Sequence, residues 1–240
     1  LILKRTNRVS EQLIREAEGV LERTITRVEG VVSFLRDLPI NPLLSATDFD
    51  QIGRDIVPLL QHFNKLRFQT AYDLPRAIKL LESIVAAFVQ QCVVAFRERR
   101  IMKLSYPEFL AVKEHFESMV QIWNREFANA KQGLTELSKK RRQPGAASSS
   151  SDPSIHALKH MYNLHTAFEE RINKIAQFRE QHHRLLTTIS DVLSDQSEQA
   201  ISDLKDAYQT FCRIDVFDIS PEGQATWENE YKEYGRNIES

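Results

Sequence analysis

The strongest constraint on this chain is an uninterrupted helical pattern over residues 105–142. At its start, Ser105 and Glu108 have the spacing of a capping box, in which each side chain bonds the backbone N–H of the other residue. A helix of this length spans about 55 Å at 1.5 Å per residue, so it needs neighbours of similar length. The apolar residues that recur every three or four positions, and so share one face, are Phe109, Val112, Phe116, Met119, Trp123, Phe127, Ala130, Leu134 and Leu137.

The rest of the chain carries further helical patterns, and its seven glycines and eight prolines are few for 240 residues. In the second predicted helix, Thr47 and Asp50 repeat the capping arrangement, and Pro58 is expected to bend the helix. The third is apolar on most sides, which favours a central position with helices one, two and four around it. The ranges predicted helical besides the long one are 8–38, 47–66, 73–100, 152–192, 198–211 and a last helix from 220 onward.

These patterns predict an all-α fold made of elongated antiparallel helical bundles built from long helices. The segment QPGAASSSSDP lacks apolar periodicity and is rich in small residues, which indicates a flexible loop. We therefore divide the chain into a first bundle of four helices over residues 1–143, a Ser-rich loop over 144–153, and a second bundle over 154–240 that shares the long helix 105–142. Helix five is expected to pair with helix four across the loop.

Charge and hydropathy limit the classes of partner. The chain has 32 Lys and Arg against 33 Asp and Glu, a formal net charge of -1, which argues against nucleic acid or an anionic membrane as the main partner. No run approaches the ~18 apolar residues of a membrane span and no leader is recognisable, so we predict no direct membrane insertion and a cytosolic location. Cys92 and Cys212 lack a CxxC partner and are expected to be reduced, and Leu1 in place of Met suggests a piece of a longer chain.

The sequence holds no recognisable catalytic, cofactor or metal motif. No glycine begins a GxxxxGK[ST] or GxGxxG pattern, so no phosphate-binding loop is predicted. His156 and His160 have a spacing that would let two imidazoles share a metal, but no third ligand completes the set. The basic run at residues 139–142 is most simply a solvated helix end, and carboxylate pairs such as Glu169 and Glu170 are most simply surface. We therefore predict a segment that is not an enzyme.

Several stretches resemble the N-terminal tail region of dynein heavy chains, of the cytoplasmic rather than axonemal type. They are LPINPLLSATDFDQIGRDIVPLLQHFNKLR, YDLPRAIKLLESI, RRIMKLSYPEFLAVKEHFESMVQIWNREF, INKIAQFREQHHRLLTTI and IDVFDISPEGQATWENEYKEYGRNIE. Their order and spacing cover about four-fifths of the chain, although no single stretch is specific. The residues of the last stretch that resemble a recurring tail signature are Asp215, Asp218, Ser220, Pro221, Glu222, Gly223, Trp227 and Tyr231.

The resemblance implies a place in a large motor subunit whose AAA+ ring hydrolyses ATP and moves cargo toward microtubule minus ends. This segment would belong to the tail, a series of helical bundles without ATP or any other cofactor of its own. The implied partners are the dynein intermediate and light intermediate chains, dynactin, cargo adaptors, and a second heavy chain in the parent homodimer. The implied location is the cytoplasm, on microtubules.

Partner docking is expected in the second half of the chain, where aromatic and charged side chains mix. The candidate contact residues are Tyr208, Trp227, Tyr231 and Tyr234. Two alternatives remain open at this point. A stand-alone spectrin-like or coiled-coil adaptor would begin and end at natural boundaries, and a membrane-binding helical crescent would gather Lys and Arg on one surface.

Overall fold

The structure is a computed structural model that describes residues 2–65, 74–141, 153–191 and 195–239. Throughout these ranges the regular structure is helical, which confirms the all-α prediction. A 3-10 turn, Ile101–Lys103, joins α4 to α5. The helices are α1 (Ile2–Arg36), α2 (Ile40–Ser45), α3 (Phe49–Asn64), α4 (Leu74–Glu98), α5 (Tyr106–Arg141), α6 (Pro153–Ser190), α7 (Asp195–Phe211) and α8 (Pro221–Glu239).

The helix starts follow from side-chain capping. The capping box of α5 is present: the Ser105 N–H donates to Glu108 Oε2 at 2.9 Å, and the Glu108 N–H donates to Ser105 Oγ at 3.5 Å. In α3, however, the cap is Asp48 rather than Thr47, because the Asp48 carboxylate accepts the Gln51 N–H at 2.8 Å. The helix continues through Pro58, whose expected bend stays a prediction. The short helix α2 was not predicted, since Pro39 and Pro42 indicated only a break.

Helix α4 lies at the centre, as its apolar composition predicted. Phe96 shows why, because its ring meets the rings of Phe49 on α3 at 4.7 Å, Phe116 on α5 at 5.0 Å and Phe168 on α6 at 6.3 Å between centroids. Leu74–Lys103 would also qualify as a membrane span by length and composition, but half of its most apolar 18-residue stretch is buried inside the chain. Its role in the core accounts for that composition.

The long helices have neighbours that the sequence did not indicate. Among the described residues, α5 (the predicted helix four) packs most extensively on α3, and α6 (the predicted helix five) packs most extensively on α4, with a smaller contact between α5 and α6. Their pairing next to the loop stays a prediction, because the side chains there lie outside the described residues. The apolar surface of α4 explains the arrangement, since it is wide enough to take α6 on one side while α3 and α5 occupy another. The core is continuous from Phe34 to Tyr234, and the division into two bundles stays a prediction.

Helix α1 departs from the expected packing around α4. Its predicted apolar stripe includes Ile14, Leu21 and Val28, which are 56–60% exposed. Among the side chains of α1 that the structure describes, from residue 12 onward, those that join the core lie at the C-terminal end, where Phe34 is buried and its ring stacks on His62 at 4.5 Å between centroids. The periodicity correctly identified a face suited to burial, but periodicity does not specify what covers that face.

The contact between Phe88 on α4 and Trp123 on α5 generates a stability prediction. The two rings stack at 3.9 Å between centroids, and both are fully buried. Phe88→Ala removes this stack and leaves a cavity, so the free energy of unfolding should fall by about 3–5 kcal/mol. Urea unfolding followed by circular dichroism measures it. Leu110→Ala is the control, because Leu110 is 43% exposed and its truncation should cost less than about 1 kcal/mol; equal losses would contradict the packing described.

Candidate functional site

Two buried arginines on α6, eight residues apart, organise the second half of the chain. Arg171 is 1% exposed and Arg179 is 6% exposed. A buried guanidinium is costly unless its N–H groups are bonded, and both side chains bond backbone carbonyls of loops rather than carboxylates. Sequence reasoning did not single out either residue. The available signal was position, since both lie beside the apolar stripe of α6 at Phe168, Ile175 and Phe178.

Arg171 holds the loop between α7 and α8. Its Nη1 donates to the Val216 carbonyl at 3.1 Å and to the Asp218 carbonyl at 2.7 Å. The guanidinium carbon lies 5.0 Å from the centre of the Trp227 ring, so the cation also contacts the first turns of α8. Burial lowers the pKa of Arg171, and the charges of Asp218 and Asp215 partly offset that shift. One side chain thus fixes both a loop and the helix that follows it.

The same loop is held locally by its own side chains. The Asp215 carboxylate accepts the Phe217 N–H at 3.2 Å, and the Asp218 carboxylate accepts the Ser220 N–H at 2.9 Å. Ser220 then caps α8 by accepting the Gly223 N–H at 3.0 Å. The two hydrogen bonds with Ser220, and the charge of Arg171, lower the pKa of Asp218. Asp215, Asp218 and Ser220, three of the residues that resemble the tail signature, therefore have structural roles in one turn.

Gly223 completes this turn because it has no side chain. A Cβ built at this position would lie 2.3 Å from Asp218 Cγ and 2.6 Å from the Asp218 carbonyl oxygen. Real Cβ atoms do not approach backbone so closely, so no other residue fits without moving the loop. A further tie runs to the central helix, where Arg97 on α4 pairs with Asp215 at 2.5 Å on the surface.

Arg179 holds the opposite connection, the turn between α4 and α5. Its Nη1 donates to the Met102 carbonyl at 3.0 Å and its Nη2 donates to the Leu104 carbonyl at 2.5 Å. It also bonds the Tyr208 hydroxyl, which itself donates to the Met102 carbonyl at 2.7 Å. The turn needs this support because Arg100, at its start, has a positive φ of 47°. Helix α6 thereby fixes α5 and α7 against each other.

The four aromatic residues predicted to contact partners divide between core and surface. Trp227 and Tyr234 are buried, and Tyr208 is half-buried against Phe178, with ring centroids 5.6 Å apart. Only Tyr231 among the four is exposed, at 39%. Three of the residues therefore serve internal packing, because their rings are occupied by contacts within the chain. Partner binding by any of them stays a prediction.

Tyr231 lies beside a small surface cavity of about 310 Å³ between α6 and α8. Its hydroxyl donates to Gln181 Oε1 at 2.7 Å, which orients the ring. Lys174, Lys232 and Glu228 line the same cavity, together with Trp227. The combination of an exposed aromatic ring with charges of both signs suits a partner contact that is partly apolar and partly charged.

The two cysteines and the described histidines have no arrangement that indicates metal binding or thiol chemistry. Cys92 and Cys212 are both free, and burial raises the pKa of each thiol, which disfavours the reactive thiolate. Among the described residues, no group of three or more His, Cys, Asp or Glu side chains is placed to hold a metal. The side chains of His156, His160 and residues 139–142 lie outside the described residues, as does the Ser-rich loop.

His182 has a structural role that the sequence did not reveal. It is buried, its Nδ1 shares a 2.8 Å hydrogen bond with the Tyr234 hydroxyl, and its ring stacks on Tyr208 at 4.1 Å between centroids. The neighbouring His183 points elsewhere, and its ring stacks on Tyr106. Burial, helped by the charges of Arg179 and His183, lowers the pKa of His182 to about 4. His182 is therefore neutral in the folded chain at pH 7.

These observations define a class of protein, an all-α scaffold whose buried polar residues hold loops between long helices. Comparison with known proteins then gives the family. The family model for dynein heavy chain, N-terminal region 1, matches residues 1–240, and the chain belongs to that family as a tail segment of a dynein heavy chain.

The relatives are cytoplasmic dynein heavy chains of distant organisms. That of Drosophila melanogaster is 26% identical over 260 residues, which cover 99% of this chain and 5% of the relative. That of Caenorhabditis elegans is 26% identical over 240 residues, which cover 93% of this chain and 5% of the relative. That of Dictyostelium discoideum is 25% identical over 234 residues, which cover 89% of this chain and 5% of the relative. The chain therefore spans about 5% of the length of the curated relatives it matches.

Gly223 provides a direct test of the α7–α8 turn. Gly223→Ala places a Cβ against Asp218, so the free energy of unfolding should fall by about 1–3 kcal/mol. Gly235→Ala is the matched control on the same helix, because a Cβ there meets nothing within 4 Å and alanine is the better helix former by about 1 kcal/mol. Thermal unfolding of both variants measures the difference. If the two substitutions shift the midpoint in the same direction, the close approach is not as described.

The buried histidines predict how stability depends on pH. Burial lowers the pKa of both His165 and His182 to about 4, against an ordinary value of 6.5. As pH falls, the two histidines of the unfolded chain therefore become protonated at a higher pH than the same histidines of the folded chain. Each histidine should lower the free energy of unfolding by about 1 kcal/mol between pH 7 and 5.5.

Urea titrations of the chain at several pH values test this dependence. His182→Gln removes one titrating group and should flatten the decline over that pH range, whereas Thr188→Gln, at an exposed position of the same helix that carries no titrating group, should leave the slope unchanged. Identical slopes for the unaltered chain and His182→Gln would contradict the prediction.

Proposed function

We propose that this chain is a non-catalytic helical scaffold in a dynein heavy chain tail. In this role it links a microtubule minus-end-directed ATPase motor to accessory chains, dynactin and cargo. The single observation that carries the proposal is the match of the family model along the whole chain, residues 1–240. Any ATP would be bound and hydrolysed elsewhere in the parent heavy chain, and this segment would work without a cofactor.

The packing supports a role in transmitting force. A rod transmits load only if its helices resist sliding past one another, and three features oppose sliding. The Phe96 cluster ties four segments together, Arg179 ties α6 to the turn before α5, and Arg171 ties α6 to the loop before α8. Each tie joins residues that are distant in sequence, so local stretching of one helix meets resistance from its neighbours.

The surface supports a role in docking. The apolar side chains of α1 are exposed over most of the helix, and the small cavity beside Tyr231 offers an exposed aromatic ring with charges of both signs. The partners proposed for these surfaces are the intermediate and light intermediate chains, dynactin, cargo adaptors and the second heavy chain of a homodimer. The relatives are named cytoplasmic dynein heavy chains, which supports a cytoplasmic, microtubule-associated location.

The stand-alone adaptor is the weaker alternative. A spectrin-like adaptor would explain the long helices equally well, because both architectures bury apolar stripes between antiparallel neighbours. It would not explain a family match that extends from the first residue to the last.

A binding measurement tests the docking surface beside Tyr231. Purified chain is captured with dynein intermediate chain, and circular dichroism is recorded on the same samples. Tyr231→Ala removes the exposed ring and should weaken capture about tenfold or more, as expected for an aromatic residue at the centre of an interface. Asn229→Ala, at an exposed position on the other side of α8, should leave capture unchanged. Helical Tyr231→Ala protein that binds as well as the unaltered chain would rule out this surface for that partner.

A further inference from the structure

A cavity of about 670 Å³ opens between the 3-10 turn Ile101–Lys103, α6 and α7. Three of its lining residues, Lys103, Arg179 and Arg213, carry a positive charge, and no aspartate or glutamate that the structure describes lines it. A surface cavity of a chain with balanced charge would ordinarily carry both signs. The lining therefore has an uncompensated positive charge.

Arg179 accounts for the most unusual part of that charge. It is more than nine-tenths buried, and the hydrogen bonds to Met102, Leu104 and Tyr208 all end on uncharged oxygens. Its Nε–H is buried without any partner. In the part of the chain that the structure describes, no carboxylate forms an ion pair with it. Because buried charges in proteins are normally paired, this guanidinium lacks a counter-charge.

Three carboxylates close in sequence to lining residues have partners elsewhere. Glu108 accepts hydrogen bonds from the Ser105 backbone and hydroxyl, Glu180 pairs with Arg184, and Asp215 pairs with Arg97. None of these three carboxylates lines the cavity. They therefore do not cancel its positive charge.

Two of the cations affect the pKa of one lining residue, Cys212. The charges of Arg179 and Lys103 both act to lower the pKa of the Cys212 thiol, although burial is the larger effect and raises it. Lys103 and Arg213 are exposed residues of the lining, so their long side chains can adapt to a ligand. The cavity thus has one buried, fixed cation and two exposed, adaptable cations.

We propose that this cavity binds the phosphoryl group of a small phosphorylated ligand. Lys103 and Arg213 donate hydrogen bonds to the phosphoryl oxygens, and the charge of Arg179 beneath them stabilises the dianion. A phosphoryl group fits better than a single carboxylate, because its two negative charges match three cations more closely. The ligand is either free phosphate or a phosphorylated amino acid side chain, which share this chemistry.

Isothermal titration calorimetry on the complete chain tests the proposal with two probes, inorganic phosphate and O-phospho-L-serine. Sodium chloride holds the ionic strength constant, since exposed cations attract any anion weakly. The unaltered chain should show saturable binding of at least one probe. The double variant Lys103→Ser with Arg213→Ser should bind at least about tenfold more weakly, because it loses two charge-assisted hydrogen bonds.

The controls separate binding at the cavity from loss of fold. Lys205→Ser changes an exposed cation of α7 that does not line the cavity, and it should leave the affinity unchanged. The double variant leaves Arg179 and its carbonyl contacts intact, so its circular dichroism should match that of the unaltered chain.

Tighter binding of O-phospho-L-serine indicates a phosphorylated side chain, and tighter binding of phosphate indicates the free anion. Heats no greater than those of sodium chloride, or equal affinities of the double variant and the unaltered chain, would overturn the proposal, which does not depend on the proposed docking function.

Discussion

The hydrogen bonds from the two buried arginines of α6 to loop carbonyls are the interaction on which the second half of the chain depends. Helices bury apolar stripes well, but the connections between helices expose carbonyls that a core cannot satisfy with carbon atoms. Arg171 and Arg179 bring positively charged N–H donors to those carbonyls from the middle of a long helix. The loops therefore become part of the packed structure, and the helices that leave them have fixed directions.

This arrangement also connects the C-terminal helices to the central helix α4. Phe217, in the loop that Arg171 holds, stacks on Phe96 of the central helix at 5.6 Å between centroids. If that loop moved, the aromatic contact between the C-terminal helices and α4 would be lost as well. In the proposed role of a load-bearing tail segment such coupling would be an advantage, because a local displacement at one end would be resisted along the core.

The sequence predicted some parts of this fold well and others poorly, for physical reasons. The long helix over 105–142 and its capping box depend on residues close in sequence, and both are present in the structure. The pairing of α6 with α4 was missed, because an all-round apolar helix such as α4 does not indicate which neighbour takes which side. The stripe of α1 was recognised, but its exposure was not, since apolar spacing reports a preference for burial rather than a contact.

The residues predicted to bind partners were likewise identified correctly in some respects and wrongly in others. Trp227, Tyr208 and Tyr234 were chosen as partner contacts because aromatic residues are common at interfaces, yet aromatic residues also dominate cores, and composition does not separate the two. The structural use of Asp215, Asp218, Ser220 and Gly223 became clear only when the turn was seen, although their spacing is that of Asx turns and a helix cap. For Arg171 and Arg179, the signal of burial in the sequence was their position beside the apolar stripe of α6.

The most direct test of this account is amide hydrogen exchange of the chain carrying Arg171→Met, which replaces the charge with an apolar side chain of similar length. If the guanidinium fixes the α7–α8 loop, the amides of residues 214–223 should exchange at least about tenfold faster, since two hydrogen bonds to a charged donor are lost. Protection in α3 and the first half of α5 should remain unchanged. Unaltered exchange in residues 214–223 would contradict the central role given to Arg171.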